Sequence, residues 1–179
     1  MSNGTSIDVV MCRKDGASTD GRHPDTVEPG TLHDDLARRD FTVNAMAREV
    51  NPLTLEPIGE IIDPFGGMED LKNFLIKCVG DPEDRLEEDW LRLLRAARFA
   101  VTKPLVLDDD LHHWVATDSN WDRMVESVSV ERIREELSKM LKHSTINTLV
   151  FLMDWASPRA IEVLFENTGL WLKPTLEKK

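Results

Sequence analysis

The sequence has few cysteines, no long apolar run and fewer basic than acidic residues. Its 179 residues include only Cys12 and Cys78, which are far apart and lack metal-ligand spacing, so we expect reduced thiols in a cytoplasmic protein. No apolar run approaches the length that crosses a membrane, and the first residues lack the pattern of a signal peptide. These absences argue against disulfide-stapled and membrane-spanning proteins.

The charge balance argues against a general nucleic-acid binder. Asp and Glu number 33 against 22 Lys and Arg, which gives a net charge of −11, whereas phosphate contacts need basic side chains. The arginines are nevertheless concentrated, with Arg38 and Arg39 in one segment and Arg92, Arg95 and Arg98 in another. Any contact with a nucleotide or nucleic acid is therefore expected to be local.

Hydrophobic spacing predicts a mixed N-terminal region. The expected elements, in order, are a strand over Ile7–Met11, a loop over Ala17–Gly30, a helix over Leu36–Ala47, a hairpin over Arg48–Asp63 with its turn at Asn51–Pro57, and a short helix over Met68–Asn73. The pattern changes near Cys78–Arg85, where we place the domain boundary.

From Asp84 onward the pattern is helical. An apolar stripe at i, i+3, i+4, i+7 and i+11 predicts one amphipathic helix formed around Trp90, Leu93, Leu94, Ala97 and Val101. Further helices are expected over Asp109–Thr117, Ser129–His143 with Ser129 as N-cap, Thr145–Trp155 and Arg159–Asn167, the last closed by Gly169.

The first segment that can carry chemistry is DDLARRDFTVNAMA, residues 34–47. Arginine forks suit phosphate oxygens and ribose hydroxyls, and Asp40 beside them can orient an arginine or accept from a ribose. For Arg38, Arg39 and Asp40 taken alone, a solvated helix face with local ion pairs is the better explanation of the pattern. The longer string RRDFTVNAMA is much more specific.

The second segment is EEDWLRLLRAARFA, residues 87–100. Asp89 and Arg92 are three residues apart, which predicts neighbours on one helix face, opposite the apolar stripe around Trp90. An Asp accepts from an exocyclic amine and an Arg donates to a ring nitrogen or oxygen, so the pair can mimic a complementary base edge. The alternative is an ordinary salt bridge on a surface helix.

Both segments resemble signature motifs of the class II tRNA nucleotidyltransferases (CCA-adding enzymes) and the related bacterial poly(A) polymerases. The resemblance runs from about Ile7 to Leu141 and includes SVERIREELSKML, residues 129–141, which resembles a structural helix motif of that family. It implies contacts from Arg39 and Asp40 to the sugar and phosphates of the incoming nucleotide, with Asn44 as support. It also implies base reading by Asp89 and Arg92, and further nucleotide contacts from Arg95 and Arg98.

The resemblance also implies the fold class. We expect an α+β chain, with a partial polymerase-β-like nucleotidyltransferase head of few strands over residues 1–80. An all-α helical bundle, corresponding to the neck and a shortened body that bind nucleotide and RNA, is expected over residues 81–179. The expected substrates are ATP and CTP, and the expected partner is the 3′ end of tRNA or of another RNA.

The metal site is the weakest part of this resemblance. The family uses two metal-binding carboxylates in an Asp-x-Asp pair upstream of these motifs, and the sequence lacks that pair. Asp8 matches a third carboxylate, which predicts a catalytic Mg²⁺ ligand only if other carboxylates come from elsewhere. Three hypotheses follow: half of a split enzyme completed by a partner polypeptide, a catalytically inactive nucleotide- or RNA-binding module, or a remnant without activity alone.

Overall fold

The computed structural model describes residues 9–15 and 27–168. Within these ranges the strands pair two by two: β1 (Arg13–Asp15) with β2 (Val27–Pro29), β3 (Ala47–Val50) with β4 (Pro57–Ile62), and β5 (Leu75–Ile76) with β6 (Val106–Leu107). The helices are α1 (Leu32–Ala37), α2 (Gly67–Lys72), α3 (Pro82–Glu88), α4 (Leu91–Thr102), α5 (Asp109–Val115), α6 (Asp118–Ser127), α7 (Val130–His143), α8 (Thr145–Val150) and α9 (Pro158–Thr168). The α+β class is confirmed, with short strand pairs mainly in the N-terminal part and helices dominating after β5.

The N-terminal strand prediction was partly wrong. Val9–Met11 is not in a strand, and Ile7 and Asp8 lie outside the described residues. The strand β1 begins two residues later and pairs antiparallel with β2, which lies in the segment expected to be a loop. The predicted cap Gly169 also lies outside the described residues.

The helix predicted over Leu36–Ala47 was wrong. Helix α1 ends at Ala37, and a short 3-10 helix, Thr42–Asn44, follows. Between them the chain runs beside residues 77–79, where Phe41 forms an antiparallel bridge with Cys78. Phe41 is fully buried there with its ring 5.4 Å from that of Phe99. Burial of this aromatic side chain and the strand-like hydrogen bonds override the local helical pattern.

The predicted hairpin and the short helix after it are confirmed. Strands β3 and β4 pair antiparallel with a bulge between Ala47 and Glu49. Asp63 then starts α2 by accepting hydrogen bonds from the backbone N–H groups of Gly67, at 2.8 Å, and Met68, at 2.9 Å. Helix α2 packs on the 3-10 helix, where the Thr42 hydroxyl donates to Asp70 at 2.6 Å.

The helical pattern after Asp84 is interrupted at a position that matters for the site. Asp89 has an extended backbone, with φ −157° and ψ 99°, and separates α3 from α4. Helix α3 is started by Asp81, whose carboxylate accepts from the Glu83 N–H, and by Pro82 in its first turn. Asp89 and Arg92 therefore do not lie together on one helix face, and that expectation was wrong.

One continuous core joins α4 to the helices around it. The stripe residues Leu93, Leu94 and Ala97 are fully buried, and α7 contributes Leu137 and Met140 to the same core. Helix α6, which the hydrophobic pattern did not predict, places Trp121 there, and its indole N–H donates to the Val115 carbonyl at 2.8 Å. The polar side of α4 is left facing α1 and α7.

The C-terminal helices agree with the expected bundle, with one difference. The helix predicted over Thr145–Trp155 is α8 continued by a π-helix over Phe151–Ala156. None of the helices within residues 9–15 and 27–168 combines the length and apolarity that a membrane crossing requires.

Candidate functional site: an arginine pocket

A polar pocket with a volume of about 370 Å³ opens between the end of α1 and the polar side of α4. Its lining, here called the arginine pocket, consists of Arg38, Arg39, Asp40, Asn44, Asp89, Arg92 and Arg95. Six of the seven nucleotide-binding residues predicted from the sequence thus line one cavity. Its volume falls within the usual range for small-molecule sites.

Asp40 is the buried centre of the pocket. One carboxylate oxygen accepts from the Phe41 N–H at 2.9 Å and from the Asn44 amide at 3.0 Å. The other accepts from Arg95 Nε at 2.8 Å and Nη2 at 2.5 Å. Burial alone would raise the pKa of Asp40, but Arg95 and the hydrogen bonds outweigh it, so the pKa lies below its usual value. Asp40 remains charged and fixes the Arg95 guanidinium.

Arg38 and Arg39 are held at the pocket edge by one buried carboxylate. Asp35 accepts from Arg38 Nη2 and from Arg39 Nη2, each at 2.7 Å. The Arg39 side chain is 43% exposed, so its guanidinium can reach a ligand while it stays oriented. Two arginines on one short helix end give the pocket an anion-binding edge.

Asp89 is engaged by a residue from another helix. Its carboxylate accepts from the Leu91 N–H at 3.1 Å, at the start of α4, and from both terminal nitrogens of Arg132, at 3.2 and 2.7 Å. Arg132 belongs to α7. The Arg92 backbone N–H donates to the Asp89 carbonyl at 2.9 Å, but in the described part of the chain the two side chains take different partners.

Arg92 is fixed by three acceptors. Its Nη1 donates to Glu88 and to the Arg85 carbonyl, each at 2.7 Å, and its Nη2 donates to the Arg38 carbonyl at 2.9 Å. Arg85 in turn donates to the Ala37 carbonyl at 3.1 Å. These bonds satisfy carbonyls at the end of α1 and tie the RRD segment to α3 and α4.

Arg98 is the one predicted contact that does not line the pocket. Its Nε donates to Glu136 of α7 at 2.5 Å, and its guanidinium lies 4.4 Å from the centre of the Phe99 ring. Glu136 also accepts from Lys139 at 2.9 Å and lies 3.9 Å from Arg95. Arg98 is therefore placed to hold α4 and α7 together.

Sequence reasoning did not assign four residues that shape the pocket. Arg38 lines it, Asp35 orients its arginines, and Arg132 and Glu136 brace it from α7. The spacing of Arg132 and Glu136, four residues apart within SVERIREEL, was the available signal, because i, i+4 residues share a helix face.

The described residues do not fit a divalent metal ion. Within residues 9–15 and 27–168, no three His, Cys, Asp or Glu side chains converge as ligands would. The carboxylates nearest the pocket centre, Asp40 and Asp89, already accept from Arg95 and Arg132. Asp8, the predicted Mg²⁺ ligand, lies outside the described residues.

The buried carboxylates predict acid sensitivity. Besides Asp40, burial would raise the pKa of Asp35 and Glu136, yet their arginine and lysine partners lower it overall. A lowered pKa adds stability that is complete above the unfolded-state value near 4 and is lost as pH falls through the folded-state value. Burial raises the pKa of Asp108, which opposes this trend.

We expect the urea concentration at the unfolding midpoint to fall as the pH is lowered from 5 to 3, and to fall less steeply in the Asp40→Asn variant. An unchanged midpoint would contradict this expectation.

Comparison with known proteins finds relatives that cover most of the chain. A family model described as the poly A polymerase head domain matches residues 1–77. The CCA-adding enzyme of Lactobacillus helveticus is 40% identical over 138 residues, which are 76% of this chain and 32% of the relative. The crystal structure of the Bacillus stearothermophilus CCA-adding enzyme in complex with CTP superposes with a TM-score of 0.66 at 33% identity, over 84% of this chain and 34% of that one. The Thermotoga maritima CCA-adding enzyme complexed with tRNA gives 0.62 at 29% identity, over 80% and 33%.

The fold is that of a nucleotidyltransferase-type protein. The chain belongs to the family of CCA-adding enzymes and poly(A) polymerases, which confirms the resemblance seen in its motifs. It spans about a third of the length of the curated relatives that it matches.

Proposed function

We propose that the chain binds CTP or ATP in the arginine pocket and takes part in nucleotide addition to the 3′ end of tRNA. The observation that carries this proposal is the pocket itself: four arginines and two oriented carboxylates line one cavity in a chain of this family. Arg38 and Arg39 would contact the phosphates and ribose, and Asp89 and Arg92 would face the base. Arg95, fixed by Asp40, would complete the anion-binding side.

The proposal requires catalytic carboxylates other than those that line the pocket. Because Asp40 and Asp89 serve arginines, we assign them to binding and positioning and not to Mg²⁺. The metal ligands would come from an Asp-x-Asp pair elsewhere in the protein or on another polypeptide, with Asp8 as a candidate third ligand. The domain division at residue 80 stays a prediction, with the nucleotide held where the head meets the helices.

A second candidate is a nucleotide-binding module without turnover. The observation that favours it is that both pocket carboxylates are engaged by guanidinium groups, so neither is available to a metal ion. Such a module would bind nucleotides as tightly as the enzyme and transfer none. The two candidates share the pocket and differ only in whether a metal site is completed.

Titration calorimetry tests the shared part of the proposal. We expect the chain to bind CTP and ATP, and Arg39→Ala to weaken both by about tenfold, because one charge-assisted contact to phosphate is lost. Lys72→Ala, which removes an exposed cation from α2, is the matched control and should bind as the original chain does. Equal affinity of the Arg39→Ala variant would show that the nucleotide lies elsewhere.

Nucleotide incorporation separates the two candidates. Labelled CTP and ATP are supplied with Mg²⁺ and tRNA lacking its 3′ end, first with the chain alone and then with extract of its source cells from which the chain has been removed. Incorporation that requires both the chain and the extract supports the split enzyme. Binding without incorporation in either mixture supports the module.

A further inference from the structure

Asp89 and Arg92, the two groups assigned to base reading, are held apart by different partners. Asp89 is bound by Arg132 of α7, whereas Arg92 is bound by Glu88 and two backbone carbonyls. The two residues are close in sequence, and their charges are opposite. Asp89 has an extended backbone and precedes α4, so its side chain takes a partner from α7 although Arg92 is only three residues away.

A guanidinium fork occupies only part of a carboxylate. A carboxylate that accepts such a fork spends two of its about four lone-pair sites on it. Binding to Arg132 therefore fixes the direction of Asp89 without using all of its acceptor capacity.

The geometry leaves Asp89 with one usable acceptor site. A carboxylate has about four lone-pair sites. Oδ1 takes the Leu91 N–H at 3.1 Å and Arg132 Nη1 at 3.2 Å, and Oδ2 takes Arg132 Nη2 at 2.7 Å. One site on Oδ2 therefore remains for a ligand. The Asp89 side chain is 31% exposed and lines the pocket, so this site is accessible.

We infer that Arg132 is a specificity-determining positioning residue: it orients Asp89 so that its remaining acceptor site selects bases that carry an exocyclic amine. This inference rests on the proposed function. Cytosine and adenine present the N–H donor of their exocyclic amine, whereas uracil presents at the equivalent position a carbonyl oxygen that a carboxylate repels. Arg132 itself does not touch the base, and its effect acts through the orientation of Asp89.

The position of Arg132 on α7 supports a dedicated role. Glu136, one turn further along the same face, holds Arg98 and lies near Arg95. The same face of α7 thus orients both the acceptor and the cations of α4. Arg134, two residues from Arg132, is exposed and lies on another side of the helix. It provides a control with the same charge change.

The test compares three ligands on the full chain and on three variants. CTP, UTP and inorganic tripolyphosphate are titrated into the original chain and into Arg132→Ala, Arg132→Lys and Arg134→Ala, with thermal unfolding of each variant recorded alongside. We expect Arg132→Ala to reduce the CTP-to-UTP affinity ratio about tenfold while tripolyphosphate affinity changes less than twofold. Arg132→Lys should recover part of the ratio, because an ammonium donates but cannot form the bidentate fork. Arg134→Ala should match the original chain.

Two results would overturn the inference while the proposed function stands. If Arg132→Ala and Arg132→Lys weaken CTP and tripolyphosphate equally, Arg132 only supports the fold. If the ratio is unchanged in both variants, Asp89 is oriented without Arg132. A failure of the original chain to bind CTP at all would instead refute the proposed function, and the inference with it.

Discussion

Replacing Asp40 with alanine is expected to lower the free energy of unfolding by about 3 kcal/mol and to abolish measurable CTP binding. The buried carboxylate accepts from the Phe41 N–H, from Asn44 and from two nitrogens of Arg95. Its removal leaves the Phe41 N–H without its acceptor and the Arg95 guanidinium without its counter-charge. The 31% exposure of Arg95 lets water recover part of this loss. Urea unfolding and CTP calorimetry measure the two effects.

Two further variants make the Asp40 prediction specific. Asp40→Asn keeps one acceptor oxygen for the Phe41 N–H and the Asn44 amide, and it loses the charge and the second oxygen that accepts from Arg95, so we expect about half the destabilisation of Asp40→Ala. Asp84→Ala removes an exposed carboxylate from the first turn of α3, which should change stability by less than about 1 kcal/mol. A larger loss in Asp40→Asn than in Asp40→Ala would contradict the ion-pair explanation.

Replacing Gly67 with alanine should destabilise the protein by about 3 kcal/mol, through overpacking. A Cβ at this position would lie 2.1 Å from the Thr42 carbonyl oxygen and 2.6 Å from its carbon. Both atoms are backbone, so α2 and the 3-10 helix Thr42–Asn44 would have to separate. Alanine in a helix ordinarily stabilises relative to glycine, so the expected sign is opposite to that of helix propensity. Urea unfolding measures the change.

The neighbouring glycine provides the control. Gly66 has φ +78° and nothing within 4 Å of an added Cβ, so Gly66→Ala meets backbone strain but no clash. We expect it to lower stability by about 1 kcal/mol. The displacement in Gly67→Ala also moves Asn44 from the pocket, so CTP binding should weaken in that variant and stay unchanged in Gly66→Ala. An equal loss of stability in the two variants would mean that α2 can shift away from Thr42 at little cost in free energy, which would contradict the overpacking explanation.

Elements with strong local signals were predicted well. The hairpin follows from a turn segment, Asn51–Pro57, between two strand-forming runs, and the structure places β3 and β4 on either side of it. The apolar stripe of α4 and the helix α7 followed from spacing, because burial of one face is what makes an amphipathic helix stable. These predictions needed no information about distant residues.

Elements decided by distant contacts were predicted wrongly. Residues 36–47 have a helical pattern, yet the chain leaves the helix at Arg38 because Phe41 is buried against Phe99 and bonds to the strand-like segment at Cys78. Asp89 was expected within a helix, but it precedes α4. Its carboxylate accepts from the Leu91 N–H at the start of α4 and binds Arg132. In both cases the partner lies more than 35 residues away in the sequence.

The motifs in the sequence sufficed to identify the family and the residues that gather, since Arg39, Asp40 and Asn44 line one cavity with Arg92 and Arg95. Their roles as nucleotide contacts stay predictions. The orientation of each charge depends on the tertiary structure. Spacing along a helix indicates which side chains can be neighbours. The partner that a charged side chain takes depends, in addition, on all the oppositely charged groups that the fold brings near it. Hence the expected placement of Asp89 beside Arg92 on one helix face was wrong, and each takes a separate partner, that of Asp89 from α7.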